Sequence, residues 1–261
     1  MAYAYDIMGS PNTKIKLLLL VQRQAGVSRR KAQELISAGE VAIDDGLVTD
    51  PFLLIQPEAI QQLVLRGHPL SLQSRELRVY RYHKPKGMLS SHDDPHEGNT
   101  VGRILRAEGF FGYSWAGRLD QDAEGLLLIT NDGVLLNQLS HPRYEVPKTY
   151  RVWLDELPTR VVLDGMLQEM RQGIDDDGDR LRISSGHIAG SPPHVILQLT
   201  EGKKREIRRL FAHFQLQVVR LLRIAIGPVE LGSLPPRSLE RMTGADTVIL
   251  RSFAQETSDP D

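Results

Sequence analysis

Apolar positions along the chain follow two rhythms in turn. Near the start, "KIKLLLLVQRQAG" (14–26) is an apolar run closed by a glycine, and "VSRRKAQELISAGE" (27–40) spaces Ala32, Leu35 and Ile36 along one helical face. They predict two short helices, the second capped by Ser28 and ended by Gly39. "EVAIDDGLVTD" then alternates about Asp45-Gly46, the signal of a hairpin. After a polar stretch the longer pattern begins with a strand in "LRVYRYHKP" and a loop into a short helix in "HDDPHEGNTVGRIL". "GRLDQDAEGLLLITNDG" (117–133) runs from charge into an apolar strand and a turn, and a helix follows over 133–140. A strand in "KTYRVWL", a helix near 157–172, a turn at Asp177-Gly178 and a strand in "HVILQLTEG" come next. The basic helix "KKREIRRLFAHF" and the apolar "VVRLLRIAIGPVEL" close the pattern.

Strands outnumber helices and hairpin turns recur, so the expected class is α+β. A small helix–hairpin domain would precede a larger one with a mixed, largely antiparallel sheet and flanking helices. The expected boundaries are a leader at 1–13, the small domain at 14–65, a linker at 66–78, the large domain at 79–250 and an acidic tail at 251–261.

Charge changes the picture through its distribution. The 261 residues carry a formal net charge of −1. Yet Lys14, Lys16, Arg23, Arg29, Arg30 and Lys31 face only Glu34 across residues 14–38, and that stretch nets +5. Residues 201–223 also net +5, with Lys203, Lys204, Arg205, Arg208, Arg209, Arg220 and Arg223 against Glu201 and Glu206. Two concentrated basic patches on a neutral chain point to a polyanion held at defined places. Arg29, Arg30 and Lys31 open a helix, where cations oppose its dipole, so an external anion accounts for them better than helix stability does. The chain has no cysteine, which excludes disulfides and thiolate metal sites and fits a cytoplasmic protein. Leu17–Val21 is too short to span a membrane.

The densest chemistry is the charged entry to the apolar run at 126–129. Asp120, Asp122, Glu124 and Gly125 match the first positions of a calcium loop, but the position that needs a bidentate acid is Asn131. A pair of glycosidase carboxylates would need stacking aromatics that are missing around it. A single carboxylate acting on a nucleotide fits better. Arg118 and Asp120 lie two apart, so on an extended segment both face one cleft while Leu119 turns into the body.

The 117–133 segment closely resembles the signature of the bacterial ribosomal RNA pseudouridine synthases, which modify small-subunit RNA and several large-subunit sites. In the family's order, "HKPKGMLSSHDDP" (83–95) precedes it, and "KTYRV" (148–152), "EGKKREIRRLF" (201–211) and "VVRLLRIAIGPVELGSL" (218–234) follow. Residues 14–60 resemble the small RNA-binding domain first described in a small-subunit ribosomal protein, the usual companion of that catalytic domain. The likeness covers about 14–245.

The resemblance implies isomerisation of a uridine to pseudouridine with no metal and no cofactor. It makes Asp120 the catalytic carboxylate, as nucleophile or as base. Arg118 would fill the place of the flipped base or hold a phosphate, and Tyr150 would stack on that base. Arg208 would pair with the catalytic carboxylate, and Leu221 would wall the pocket. Lys84, Lys86, Lys203, Lys204, Arg205 and Arg209 would meet RNA phosphates, with Arg29, Arg30 and Lys31 doing so from the small domain. The implied partner is ribosomal RNA or a ribosome-assembly intermediate, met by a monomer, with large-subunit RNA preferred over small-subunit RNA as target. A non-catalytic RNA-binding factor is the alternative. Ala123, His83 and Glu206 depart from the family pattern, which commonly has threonine or serine, asparagine and glutamine there.

Overall fold

The computed structural model describes residues 14–72 and 76–257, so the expected leader and the end of the tail lie outside the described residues. Contacts divide the chain into two compact units.

The first unit gathers the described residues up to Leu77 with Leu105–Tyr113. A short β1 (Ile15–Lys16) leads into α1 (Leu17–Ala25), which stops where Gly26 takes a left-handed conformation at φ 66°. α2 (Arg29–Ser37) is capped as its sequence predicts, the Ser28 hydroxyl accepting from the Lys31 amide at 3.1 Å. β2 (Val41–Ile43) and β3 (Gly46–Val48) form the expected hairpin, and β4 (Leu54–Ile55) pairs with β1. β5 (Leu63–Leu65) and β6 (His68–Leu70) complete a four-stranded sheet ordered β3-β2-β5-β6. Leu17, Leu20, Val21, Ile36, Val41 and Leu63 are the core of this unit.

β6 corrects the expected linker at 66–78. Arg66 and Gly67 both take positive φ and turn the chain straight back, and Pro69 is accommodated because β6 is an edge strand. Polar composition concealed a hairpin there. The inclusion of 105–113 corrects the contiguous boundary as well.

The second unit holds Arg78–Ile104 and the chain from Ser114 onward. β7 (Val79–Lys84) and the start of α3 (Val101–Ala107), whose residues from Leu105 on are counted in the first unit, precede β8 (Ser114–Trp115), β9 (Glu124–Thr130) and α4 (Gly133–Ser140). β10 (Lys148–Leu154) and α5 (Arg160–Gln172) lead to the hairpin of β11 (Ile174–Asp176) and β12 (Asp179–Leu181). β13 (Ser185–Ala189), β14 (His194–Leu199), α6 (Glu206–His213), β15 (Val218–Ile226), β16 (Val229–Glu230), β17 (Leu239–Arg241) and α7 (Gly244–Glu256) follow. The main sheet is ordered β13-β14-β10-β15-β9-β7-β17, with β8 on β9 and β16 on β15. Its named neighbours are antiparallel except β9 and β15. α7 carries the chain past the expected domain end at 250: Leu250 and Ala254 are buried, and Arg251 pairs at 2.7 Å with Asp132, whose carboxylate also caps α4.

β9 and β15 meet through one glycine. Gly125 has φ 116°, and a Cβ there would lie 2.3 Å from the carbonyl oxygen of Arg223. Only glycine allows the two strands to close at this point.

Candidate active site

Residues 118–123 enter β9 as a non-repetitive loop, so their carbonyls must find partners outside a ladder. They do so one after another. Arg223 Nη1 donates to the Arg118 carbonyl at 3.3 Å, and the Ser90 hydroxyl donates to Leu119 at 2.8 Å. Lys84 Nζ donates to Asp120 at 3.1 Å and to Ala123 at 2.6 Å. The Gly87 amide donates to Gln121 at 2.7 Å, and Arg208 Nη2 donates to Asp122 at 3.2 Å. Ser90 also accepts the Leu119 amide at 3.1 Å, so both polar groups of that residue are held. Leu119 is buried while Arg118 and Asp120 reach the surface of one cleft, the alternation expected from their spacing.

The cleft is a cavity of about 350 Å³. Asp120 and Arg118 line it with Tyr150 of β10, Leu221 of β15 and Arg208 of α6. Residues from four separated motifs thus converge on one space.

The structure corrects three expectations about individual cations. Lys84 is not a surface contact for RNA: it is fully buried, with its ammonium on backbone carbonyls. Burial and then the charge of Arg223 bring its pKa down to about 8, with Asp120, Asp122 and Glu124 acting against them. Arg208 does not pair with Asp120. It sits 3.1 Å from the Asp122 carboxylate, which Arg205 also holds in a two-pronged contact at 3.1 and 3.2 Å. Burial pushes the Asp122 carboxyl up, but the Arg205 hydrogen bond and the Arg208 charge outweigh it, and its pKa is lowered. The Asp120 carboxylate, among the described residues, enters no ion pair. Arg209 is turned to the β11–β12 hairpin, where Asp176 and Asp179 take its guanidinium.

Lys86 and Lys204 are exposed, and Lys203 pairs with Glu201 at 2.9 Å. In the first unit Arg29, Arg30 and Lys31 are all exposed, and Glu34 holds Arg30 at 3.1 Å and Lys31 at 3.3 Å. An internal carboxylate therefore meets part of the charge first assigned to an external anion.

Ser90, Arg223 and Lys148 went unassigned in the sequence. Arg223 is the largest fully buried side chain, its Nε on the Leu126 carbonyl at 2.8 Å. A cation flanked by Leu221, Leu222 and Ile224 in the apolar run of β15 was its signal. Lys148 stands two residues before Tyr150 on one strand and lines the same cavity, a period-2 relation legible in "KTYRV". Of the departures, Ala123 places no hydroxyl beside Asp120, and Glu206 is buried, its Oε2 accepting the Lys203 amide at 3.0 Å. His83 Nδ1 lies 2.7 Å from the Leu234 carbonyl.

Residues 78–213 match the family model of the RNA pseudouridylate synthases. An uncharacterized RNA pseudouridine synthase of Mycobacterium bovis is 34% identical over 85% of this chain and 87% of its own length. A ribosomal large subunit pseudouridine synthase B of Yersinia pestis is also 34% identical, over 85% of this chain and 70% of its own. Among solved structures, a crystal structure of a pseudouridylate synthase superposes with a TM-score of 0.60 at 25% identity, covering 90% of this chain and 99% of that one.

Proposed function

The chain belongs to the RNA pseudouridylate synthase family, and on that premise we propose that it isomerises one uridine of large-subunit ribosomal RNA, with Asp120 as its catalytic carboxylate. Pseudouridine synthesis on RNA is the activity of the family. The target and the residue roles are the further reading.

The observation that carries it is the run of held carbonyls from Arg118 to Ala123. A loop so fixed presents the one carboxylate it leaves unpaired, Asp120, at the cavity with little freedom to stray. The uridine reaches that carboxylate by leaving its stack, at a cost of a few kcal/mol. Tyr150 stacks on the extruded base, Leu221 bounds it, and the exposed Arg118 fills the vacated space or holds a neighbouring phosphate. The carboxylate then acts on the ribose, as nucleophile or as base, while the bond to N1 breaks and the base rejoins through C5. Arg205 and Arg208 belong to Asp122 in this reading. They shape the loop and set a positive field around Asp120.

Large-subunit RNA is favoured by the likeness to the Yersinia pestis protein of that name. Mapping pseudouridines in ribosomal RNA from cells with and without this gene tests the assignment. One pseudouridine should vanish from large-subunit RNA. A loss confined to small-subunit RNA would move the target, and no loss in either would remove ribosomal RNA as substrate.

A further inference from the structure

We propose that Lys148 is a second catalytic residue of this cavity, donating a hydrogen bond from its ammonium to a carbonyl oxygen of the uracil as the base detaches. The inference rests on the uridine-isomerisation reading above.

Three observations place Lys148 there. It opens β10 and is paired on both sides, with Leu199 of β14 and Ile226 of β15, so its backbone is fixed within the sheet. It lines the same cavity as Asp120 and, at two residues' spacing, projects from the same strand face as Tyr150. It is also 8% exposed and, among the described residues, its side chain has no hydrogen bond or ion pair. The neighbouring cations are engaged within the protein: Lys84 and, through Nε and Nη1, Arg223 on carbonyls, Arg205 and Arg208 on Asp122, and Lys203 on Glu201, with Arg223 Nη2 left over. A largely buried lysine on a cavity wall, with no protein partner for its ammonium among the described residues, is open to a ligand in that cavity.

The charged groups set around Lys148 are Arg223 from β15 and Glu206 from α6, with Arg118, Asp120, Arg208 and the Glu201, Lys203, Lys204 and Arg205 of the segment before α6 elsewhere on the cavity wall. Burial and then Arg223 bring its pKa down to about 8, and Glu206 acts the other way. At neutral pH the ammonium form prevails.

The chemistry calls for such a donor. When the C1′–N1 bond breaks, its electron pair stays with the base. Uracil is then a monoanion with charge spread over N1, O2 and O4. The same electron pair, delocalised to C5, forms the new C1′–C5 bond. The C5 proton then leaves and N1 takes one up, so the product is an isomer of the substrate. Asp120 acts on the ribose in this sequence and cannot stabilise charge on the base. A fixed cation against a base carbonyl supplies that stabilisation where it develops.

The test uses the full-length protein and total ribosomal RNA from cells lacking the gene, with pseudouridine read by mass spectrometry in single turnover. Lys148→Met should slow the reaction by about 10²–10³-fold, the usual effect of removing one preorganised donor, while filter-bound RNA is unchanged. Lys148→Arg should keep the rate within about tenfold and make the alkaline fall near pH 8 shallower, leaving the share that Lys84, also at about 8, contributes. Glu206→Gln should move that fall to lower pH, because it removes the group that raises the lysine. Where Lys148→Met does not fold, Lys148→Arg decides. An active Lys148→Met, or a Lys148→Arg slowed as much as is expected of Lys148→Met, overturns the inference alone. Wild-type protein that forms no pseudouridine overturns the isomerase reading and this inference with it.

Discussion

At the scale of the residue, the site is governed by who satisfies whose carbonyl. Lys84 carries the plainest lesson. Beside Lys86 and Pro85 in the sequence it reads as a surface cation, yet its ammonium joins Asp120 and Ala123 from inside the protein. Lys84→Met keeps the length of the chain and removes the donor. It leaves buried carbonyls short of a partner at a cost of about 1–3 kcal/mol each, offset in part by loss of a buried charge. The expected outcome is a turnover rate reduced at least about tenfold, through displacement of Asp120, with RNA affinity unchanged. Kinetics beside filter binding checks it. Weakened binding at an unchanged rate would restore Lys84 to the surface. The alternation of Arg118, Leu119 and Asp120 was legible from spacing alone. The partner of Arg208 was not, because Asp120 and Asp122 are two apart and sequence cannot say which one α6 meets.

At the scale of the element, the apolar periodicities, Ser28, Gly26 and the Asp-Gly turns were enough to place α1 to α6 and the central strands, while α7 went unseen. Local signals fail where a contact is long-range or where an edge strand tolerates what a central strand would not. β6 went unseen because Pro69 and His68 read as linker. The parallel meeting of β9 and β15 went unseen because it joins residues 98 apart, Gly125 and Arg223. Gly125→Ala tests that junction. The added Cβ would meet backbone rather than a flexible side-chain end, at a positive φ that alanine resists. Chemical denaturation should show a loss of more than about 2 kcal/mol, in the range of strained backbone and overpacking together. A loss below about 0.5 kcal/mol, typical of a neutral surface change, would mean that the strands can part there without consequence.

At the scale of the whole molecule, two basic regions lie in two different units, although the net charge is only −1. In the catalytic unit, acidic partners hold Lys203, Arg205, Arg208 and Arg209, so the patch there is largely architecture. Arg29 remains a strong candidate for a phosphate, and Arg30 reaches one only by leaving Glu34. The double variant Arg29→Ala, Arg30→Ala should weaken RNA binding and flatten its logarithmic salt dependence by about 1–2, at roughly 0.7–0.9 per phosphate contact. The single-turnover rate at saturating protein should be unchanged. An unaltered salt slope would place RNA binding by this unit elsewhere.

The central claim is that the carboxylate of Asp120 performs the isomerisation from a loop that other segments hold in place. Its most direct test is Asp120→Asn, which keeps the shape of the side chain and removes its charge, assayed by release of tritium from C5 of uridine in ribosomal RNA as the base rejoins through that carbon. The account predicts no release above background, with folding and RNA affinity as in the wild type. Release at a rate near the wild type would contradict it.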